Sequence, residues 1–310
     1  MKKIIVIAVL LALFGCSQSK EVKEGVLGEK VVVEDLLSYE INRFEAVKKI
    51  EPSIPAGYYS YREPGDKANV LLDLVLKVKN ESTSEIKVKD YISSAFEIND
   101  KEYETGIRVE SDGGTDISAY GTIDPMKSTL VHLYIEIAEA DIPDEVLCKL
   151  TINKETTELN LNKTKLVPEK TYLKFGKTVD KKDTASVKFI ESSVTKKLIP
   201  PNPGMFYTYY KVDDNADSYL VVKMNVKNTG ENDLSLNEII GCKAKVDNKY
   251  DYLGQLVWED SDGSRLTNSG KLEPLKKTNA YCLIQVPDEI IKKPAEFKIH
   301  VLDDIYYIKK

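Results

Sequence analysis

The sequence predicts an all-β chain built as two tandem antiparallel β-sandwich domains, and three observations carry that expectation. Apolar and polar residues alternate over short windows, the period at which successive side chains of a strand point to opposite faces. Asn, Gly, Asp and Pro punctuate those windows as turn formers. The whole pattern then occurs a second time at a near-constant interval. Composition agrees, with eighteen Tyr against one Trp and four Met, and 42% hydrophobic residues among 310. That is enough for packed cores and is weighted toward strand formers.

The first element is a leader rather than a strand. Lys2-Lys3 precede an unbroken apolar run from Ile4 to Phe14, followed by Gly15-Cys16. Two positive charges, a short apolar segment and a small residue at the cut make a secretory signal. The run is too short for a membrane-spanning helix, which needs about 20 apolar residues. Its ending resembles the lipobox of bacterial lipoproteins. That resemblance implies that Cys16 is diacylated on its thiol, becomes the mature N-terminus and holds the chain outside the cytoplasm on the cell membrane, or on an outer membrane where one exists. Residues 16–28 then read as a charged, apolar-poor tether.

Two copies of one module follow. Pro55-Ala-Gly-Tyr-Tyr-Ser-Tyr61 returns as Pro203-Gly-Met-Phe-Tyr-Thr-Tyr209, and the run from Ala68 to Asn80 returns as Ala216 to Asn228. Both pairs lie 148 positions apart (55 to 203, 80 to 228). Three later pairs keep the order: Glu110-Ser-Asp-Gly with Glu259-Asp-Ser-Asp-Gly, Ile123-Asp-Pro with Leu272-Glu-Pro, and Ile142-Pro-Asp-Glu with Val286-Pro-Asp-Glu. The unit is domain-sized, so this is a duplication and not a solenoid. The expected boundaries are a first sandwich over 29–162, a short polar linker over 163–171 and a second sandwich over 172–310.

The strands are read in turn. Leu72, Leu74, Leu76 and Val78 alternate with Asp73, Val75 and Lys77, as Leu220, Val222, Met224 and Val226 do with Val221, Lys223 and Asn225. One face of each strand is therefore expected in a core and the other in water. Asn80 and Asn228 end these strands as turn residues. Further alternating runs are Ile86–Val88, Ala95–Ile98, Leu130–Ile137 and Cys148–Ile152. Their partners are Leu234–Leu236, Cys242–Val246, Tyr281–Val286 and Phe297–Val301. No long helical stripe follows the leader, and Leu36 to Val47 fits either period. Antiparallel immunoglobulin-like topology suits this series, although Trp258 has no counterpart in the first copy and the Cys…Trp…Cys core of antibody domains is not expected.

Each copy resembles the immunoglobulin-like domain of Gram-positive surface lipoproteins, a group without assigned activity. The aromatic runs Tyr58–Tyr61 and Phe206–Tyr210, the long strands closing on Lys79-Asn80 and Lys227-Asn228, and the late Pro-Asp-Glu carry the resemblance. It implies a two-domain extracytoplasmic binding or structural lipoprotein.

Reactive chemistry finds little footing. With Cys16 on lipid, Cys148, Cys242 and Cys282 remain. A Cys242–Cys282 disulfide is one reading and three small buried side chains another. His132 and His300 stand singly in strands, without metal-ligand spacing, and read as packed or exposed side chains rather than bases. No phosphate-binding, dinucleotide or nucleophile-elbow motif occurs. The acidic turns read first as strand connections, with Asp112, Asp116, Asp260 and Asp262 as candidates for Ca²⁺, a cation that takes about six to eight oxygens. No other metal and no cofactor is expected. Tyr59, Tyr61, Tyr207 and Tyr209 share faces in pairs, with an apolar body and polar tip suited to ligand contact or to packing in the sandwich.

A net charge of -6 on 30% charged residues excludes a nucleic-acid partner on electrostatic grounds. The expected role is a non-enzymatic, lipid-anchored module with the membrane on one side and a protein, peptide or wall glycan on the other. The alternatives are a structural or assembly component of an envelope complex and a hydrolase with an unrecognised site.

Overall fold

The structure, a computed structural model, describes residues 22–55 and 58–310. The leader and Cys16 lie outside the described residues. The chain divides into two compact units, Met1–Glu169 and Lys170–Lys310. Both are all-β with predominantly antiparallel pairing, as expected.

Unit 1 is a sandwich of two sheets. One orders Val31–Val33, Leu37–Val47, Asn69–Asn80, Ser128–Ala138, Gly106–Glu110 and Ile117–Ser118. The other orders Lys23–Glu24, Glu155–Asn162, Glu145–Ile152, Ile92–Ile98 and Lys101–Glu104. Leu72, Leu74, Leu76 and Val78 from the first share one buried cluster with Phe96, Cys148, Leu150 and Leu161 from the second. Leu36 to Val47, ambiguous in sequence, belongs to the first sheet as a strand beginning at Leu37.

Unit 2 repeats this plan, but makes in one unbroken strand the crossing that unit 1 makes with Lys101–Glu104 and Gly106–Glu110. The strand Tyr250–Glu259 pairs first with Ile240–Val246 in one sheet and then with Lys277–Pro287 in the other. It crosses at Gly254, where a Cβ would lie 2.6 Å from Cys242 Sγ and 2.8 Å from Cys282 Sγ. Those two cysteines are bonded, 40 residues apart in sequence. Trp258 is buried in the same cluster, so unit 2 does contain a cross-sheet Cys242…Trp258…Cys282 core, contrary to expectation. In unit 1 the matching positions are Ser94, Val109 and Leu133, with the Ser94 hydroxyl 2.8 Å from that of Thr105. Cys148 is free and buried opposite Phe96. Its counterpart Phe297 stands opposite Ala244, so large and small have exchanged places between two paired strands of the same sheet and core volume is kept. Burial pushes the Cys148 thiol up to about 12, which leaves it unreactive.

Three sequence expectations need correction. The odd positions of the long strands do not face water: Leu71, Asp73 and Val75 are buried. The chain between Val47 and Asn69 folds back over the outer face of its own sheet, and Ile50 joins Leu71, Ile117 and Tyr134 in a second, smaller core. In unit 2 Val212, Tyr219, Val221 and Tyr281 do the same. Next, the tether and linker are not free spacers. Lys23–Glu24 pairs parallel with Leu159–Asn160, and Thr171–Tyr172, whose first residue lies 148 positions after Lys23, pairs parallel with Tyr306–Tyr307. Leu166 is buried and its carbonyl accepts the Phe44 N–H at 2.9 Å. The repeat thus begins at Lys23 and Thr171, earlier than its recognisable sequence. Finally, the runs expected as strands over Ile86–Val88 and Leu234–Leu236 end in single helical turns, Val88–Tyr91 and Leu236–Ile239. Each keeps an apolar residue in the core by turning inward.

Asn80 and Asn228 are turn residues as read, and both are buried. Asn228 Nδ2 donates to the carbonyls of Asn232 and Leu272, each at 2.8 Å, and its Oδ1 accepts the Gly230 N–H at 2.9 Å. Asn80 makes the matching bonds to Ser84, Ile123 and Ser82. Removing the amide leaves the Asn232 and Leu272 carbonyls and the Gly230 N–H without the partner that ties them together. Asn228→Ala should therefore destabilise unit 2 by about 2–3 kcal/mol, read as a shift in its urea unfolding midpoint while the unit 1 transition holds.

Candidate functional site

In each unit the fold-back segment carries a closed loop. Ile50 and Arg62 exchange both backbone hydrogen bonds at 2.8 Å, and Leu198 is paired with Tyr210 in the same way. Pro52 and Pro55 stiffen the first loop, and Pro200, Pro201 and Pro203 the second, since proline fixes φ. Large side chains project from both. Tyr58 is 100% exposed and Tyr61 54%, while Met205 is 91% and Phe206 80% exposed.

The four sequence-predicted tyrosines come together in pairs. The Tyr59 and Tyr61 rings lie 6.2 Å apart and those of Tyr207 and Tyr209 6.1 Å apart, both tilted. They occupy the returning arm of a loop, not an edge strand, and Tyr61, Tyr207 and Tyr209 are exposed rather than in a core. A lysine at the neck caps each pair. Lys49 Nζ sits 4.3 Å from the Tyr61 ring centre and donates to Tyr59 Oη at 3.1 Å, and Lys197 Nζ sits 3.9 Å from the Tyr209 ring. Desolvation works against the Lys49 charge, but the Tyr59 hydrogen bond and the Glu51 carboxylate outweigh it and raise its pKa.

The acidic turns are joined to these loops by an equivalent bond. Ile54 N–H donates to the Gly114 carbonyl at 2.8 Å, and Asn202 N–H to that of Gly263 at 3.0 Å. Gly114 and Gly263 both have φ near +70°, at +65° and +71°, where glycine alone sits without strain. The two candidate regions read separately in the sequence are therefore one surface in each unit.

The carboxylates named as Ca²⁺ candidates all have partners within the protein. Asp116 accepts the backbone N–H of Ser60 at 2.6 Å and of Ile117 at 2.9 Å, and the Ser60 bond leads in holding its carboxyl low. Asp112 pairs with Lys127 at 3.4 Å. Asp260 accepts from Ser264 and Arg265 N–H, and Asp262 from Ser264 N–H. Asp260 and Asp262 fold their own turn, whereas Asp116 ties its turn to the aromatic loop and Asp112 meets a surface lysine. Among the described residues no three His, Cys, Asp or Glu side chains converge as metal ligands. A cavity of about 350 Å³ beside the first turn is lined by Glu110, Asp112, Asp116, Tyr120 and Lys127, with no His or Cys on its wall.

One buried group escaped sequence reasoning. His132 is buried with Nδ1 2.8 Å from Asp73 Oδ2 and Nε2 3.6 Å from Glu110 Oε1. Glu110 in turn accepts from Ser53 N at 3.1 Å and Ser53 Oγ at 2.8 Å. Burial works against the imidazolium, but the Asp73 charge and hydrogen bond, with Glu110 behind them, lift its pKa to about 9. Ser53 donates to a carboxylate rather than to the imidazole, so this row is not a nucleophile–base pair. It pins the loop to the sheet. Unit 2 solves the same problem without a cation: Tyr281 donates to Glu259 at 2.5 Å and Val221 stands where Asp73 would. His300 is also buried, in the strand Ala295–Val301. The available signal was an Asp placed between Leu71 and Val75 on one face of a strand.

No family model and no curated protein matches the sequence. Among solved structures, an uncharacterised β-sandwich protein of Clostridium difficile 630 matches at 21% identity and a TM-score of 0.42, over 46% of this chain and 97% of its own. A conserved hypothetical protein of Bacillus anthracis matches at 13% identity and 0.30, over 43% and 92%. A marsupial T cell receptor matches at 11% identity and 0.22, over 77% and 90%. All three are similar in fold class only.

Proposed function

We propose that the chain is a non-enzymatic, lipid-anchored binding module of two immunoglobulin-like units at the outer side of a bacterial envelope. One observation carries the reading: two units of diverged sequence both retain a closed, proline-stiffened loop that holds aromatic side chains in solvent. Exposed Tyr and Phe on a rigid loop lower the entropy cost of contact and offer large area per residue. A protein, peptide or wall glycan is the class of ligand such a surface takes. Two copies in one chain add avidity where the target repeats.

Three measurements test it. Changing Cys16→Ser should move the protein from the membrane to the soluble fraction of its cells with the fold unchanged; retention on membranes would remove the anchor from the reading. Crosslinking on living cells with the intact protein should capture a partner that is lost when Tyr58 and Tyr61 are both changed to Ala. A purified sample that turns over substrate in a broad hydrolase screen, and stops when Asp116 is changed, would replace binding with catalysis.

A further inference from the structure

The two loops have diverged in one respect that bears on what each meets. From Leu198 to Tyr210 the second loop runs thirteen residues without a charge, in a chain where 30% of residues are charged. Ile199, Met205 and Phe206 are exposed along it. Large apolar side chains held in water on an uncharged loop mark a contact that removes them from water. At the neck, Lys197 and Lys211 stand directly opposite each other in the two-stranded ribbon. No carboxylate pairs with either ammonium among the described residues. Like charges in that register repel, and an anion outside the protein would relieve them. In unit 1 the matching neck positions are Lys49 and Glu63, opposite in sign, and the exposed tip residue is Tyr58 rather than a Met-Phe pair.

We infer that the second loop alone dips into the surface of an anionic bilayer. Met205 and Phe206 enter the boundary between headgroups and acyl chains, as the apolar side of an interfacial anchor does. Tyr207 and Tyr209, behind the tip, take the depth at which amphipathic aromatics reside. Lys197 and Lys211 meet the phosphates, extending apolar stems along the loop with their charges outward. Asp260 and Asp262, beside Asn202, are held by their own turn's amides and remain on the water side. This goes beyond the binding reading above and shares with it only the placement of the chain at a membrane.

The test keeps the loop separate from Cys16. Protein is held on phosphatidylglycerol–phosphatidylcholine vesicles through a C-terminal hexahistidine tag and nickel-chelating lipid, so that it sits at the surface whether or not acylation occurs. Phe206→Trp and Tyr58→Trp place a fluorophore at each tip, both on exposed side chains that do not threaten folding. Brominated acyl chains should quench roughly half of the added emission at 206, since an interfacial loop lies about 5–10 Å into the boundary, and none at 58. Lys211→Glu should weaken the quenching at 206 by about twofold or more. Emission at 206 that stays open to aqueous iodide and untouched by bromine would overturn the inference. Equal quenching at both tips would overturn it too, as crowding at the vesicle surface.

Discussion

Changing Asp73→Val is expected to destabilise unit 1 by about 3–5 kcal/mol, the cost of leaving one member of a buried ion pair without its partner. His132 would keep only Glu110, 3.6 Å from Nε2. The second unit supplies the repair. There Val221, Tyr281 and Glu259 fill the corresponding positions, and the phenol donates to the carboxylate. Adding His132→Tyr to Asp73→Val should therefore restore most of the loss, and the double-mutant cycle should show strong coupling. The pH dependence has a definite sign. His132 titrates near 9 when folded against an ordinary value of 6.5. Its contribution is complete below about pH 6.5 and disappears as pH rises through 9. The unit 1 unfolding midpoint should fall across that window in the wild type and stay level in the double variant. A single variant within about 1 kcal/mol of wild type would show that the pair adds nothing.

That pair also shows where sequence reading stops. The duplication, the inward set Leu72, Leu74, Leu76 and Val78, and the turn role of Asn80 and Asn228 were legible because each is a local pattern. A strand has a fixed period, and a buried Asn at its end has few uses besides closing a turn. Burial of the opposite face was not legible. It depends on the segment after Val47 returning over its own sheet, a choice made by long-range packing of Ile50 against Leu71 and Tyr134. Asp73 and His132 are 59 residues apart, and nothing local to either announces the other. The aromatic loops were found as ligand candidates from composition. Their union with the acidic turns needed coordinates, because one backbone bond from Ile54 or Asn202 makes it. The acidic segments read first as turns, and the structure gives the reason that makes Asp common there: Asp116, Asp260 and Asp262 accept backbone amides.

Breaking the Cys242–Cys282 bridge should cost unit 2 about 4 kcal/mol, the chain-entropy value for a loop of 40 residues. The sequence left these cysteines open between a bridge and a buried pair, since an odd thiol, Cys148, accompanied them. Position decides it: they lie on facing sheets, with Gly254 closing the space above both sulfurs. Reductant should lower the unit 2 melting transition and leave unit 1, whose Cys148 is unpaired, in place. Cys282→Ala should lower it by the same amount and abolish the response to reductant. Unit 1 holds the same crossing without a covalent link, using Leu133 and the Ser94–Thr105 hydroxyl contact at 2.8 Å. The triple exchange Cys242→Ser, Cys282→Leu and Gly254→Thr imports that arrangement. It should regain part of the loss, because Leu fills the volume of one sulfur and the hydroxyl pair satisfies itself. A unit 2 transition indifferent to reductant would mean that side-chain packing around Phe297 and Trp258, rather than the bridge, joins these sheets.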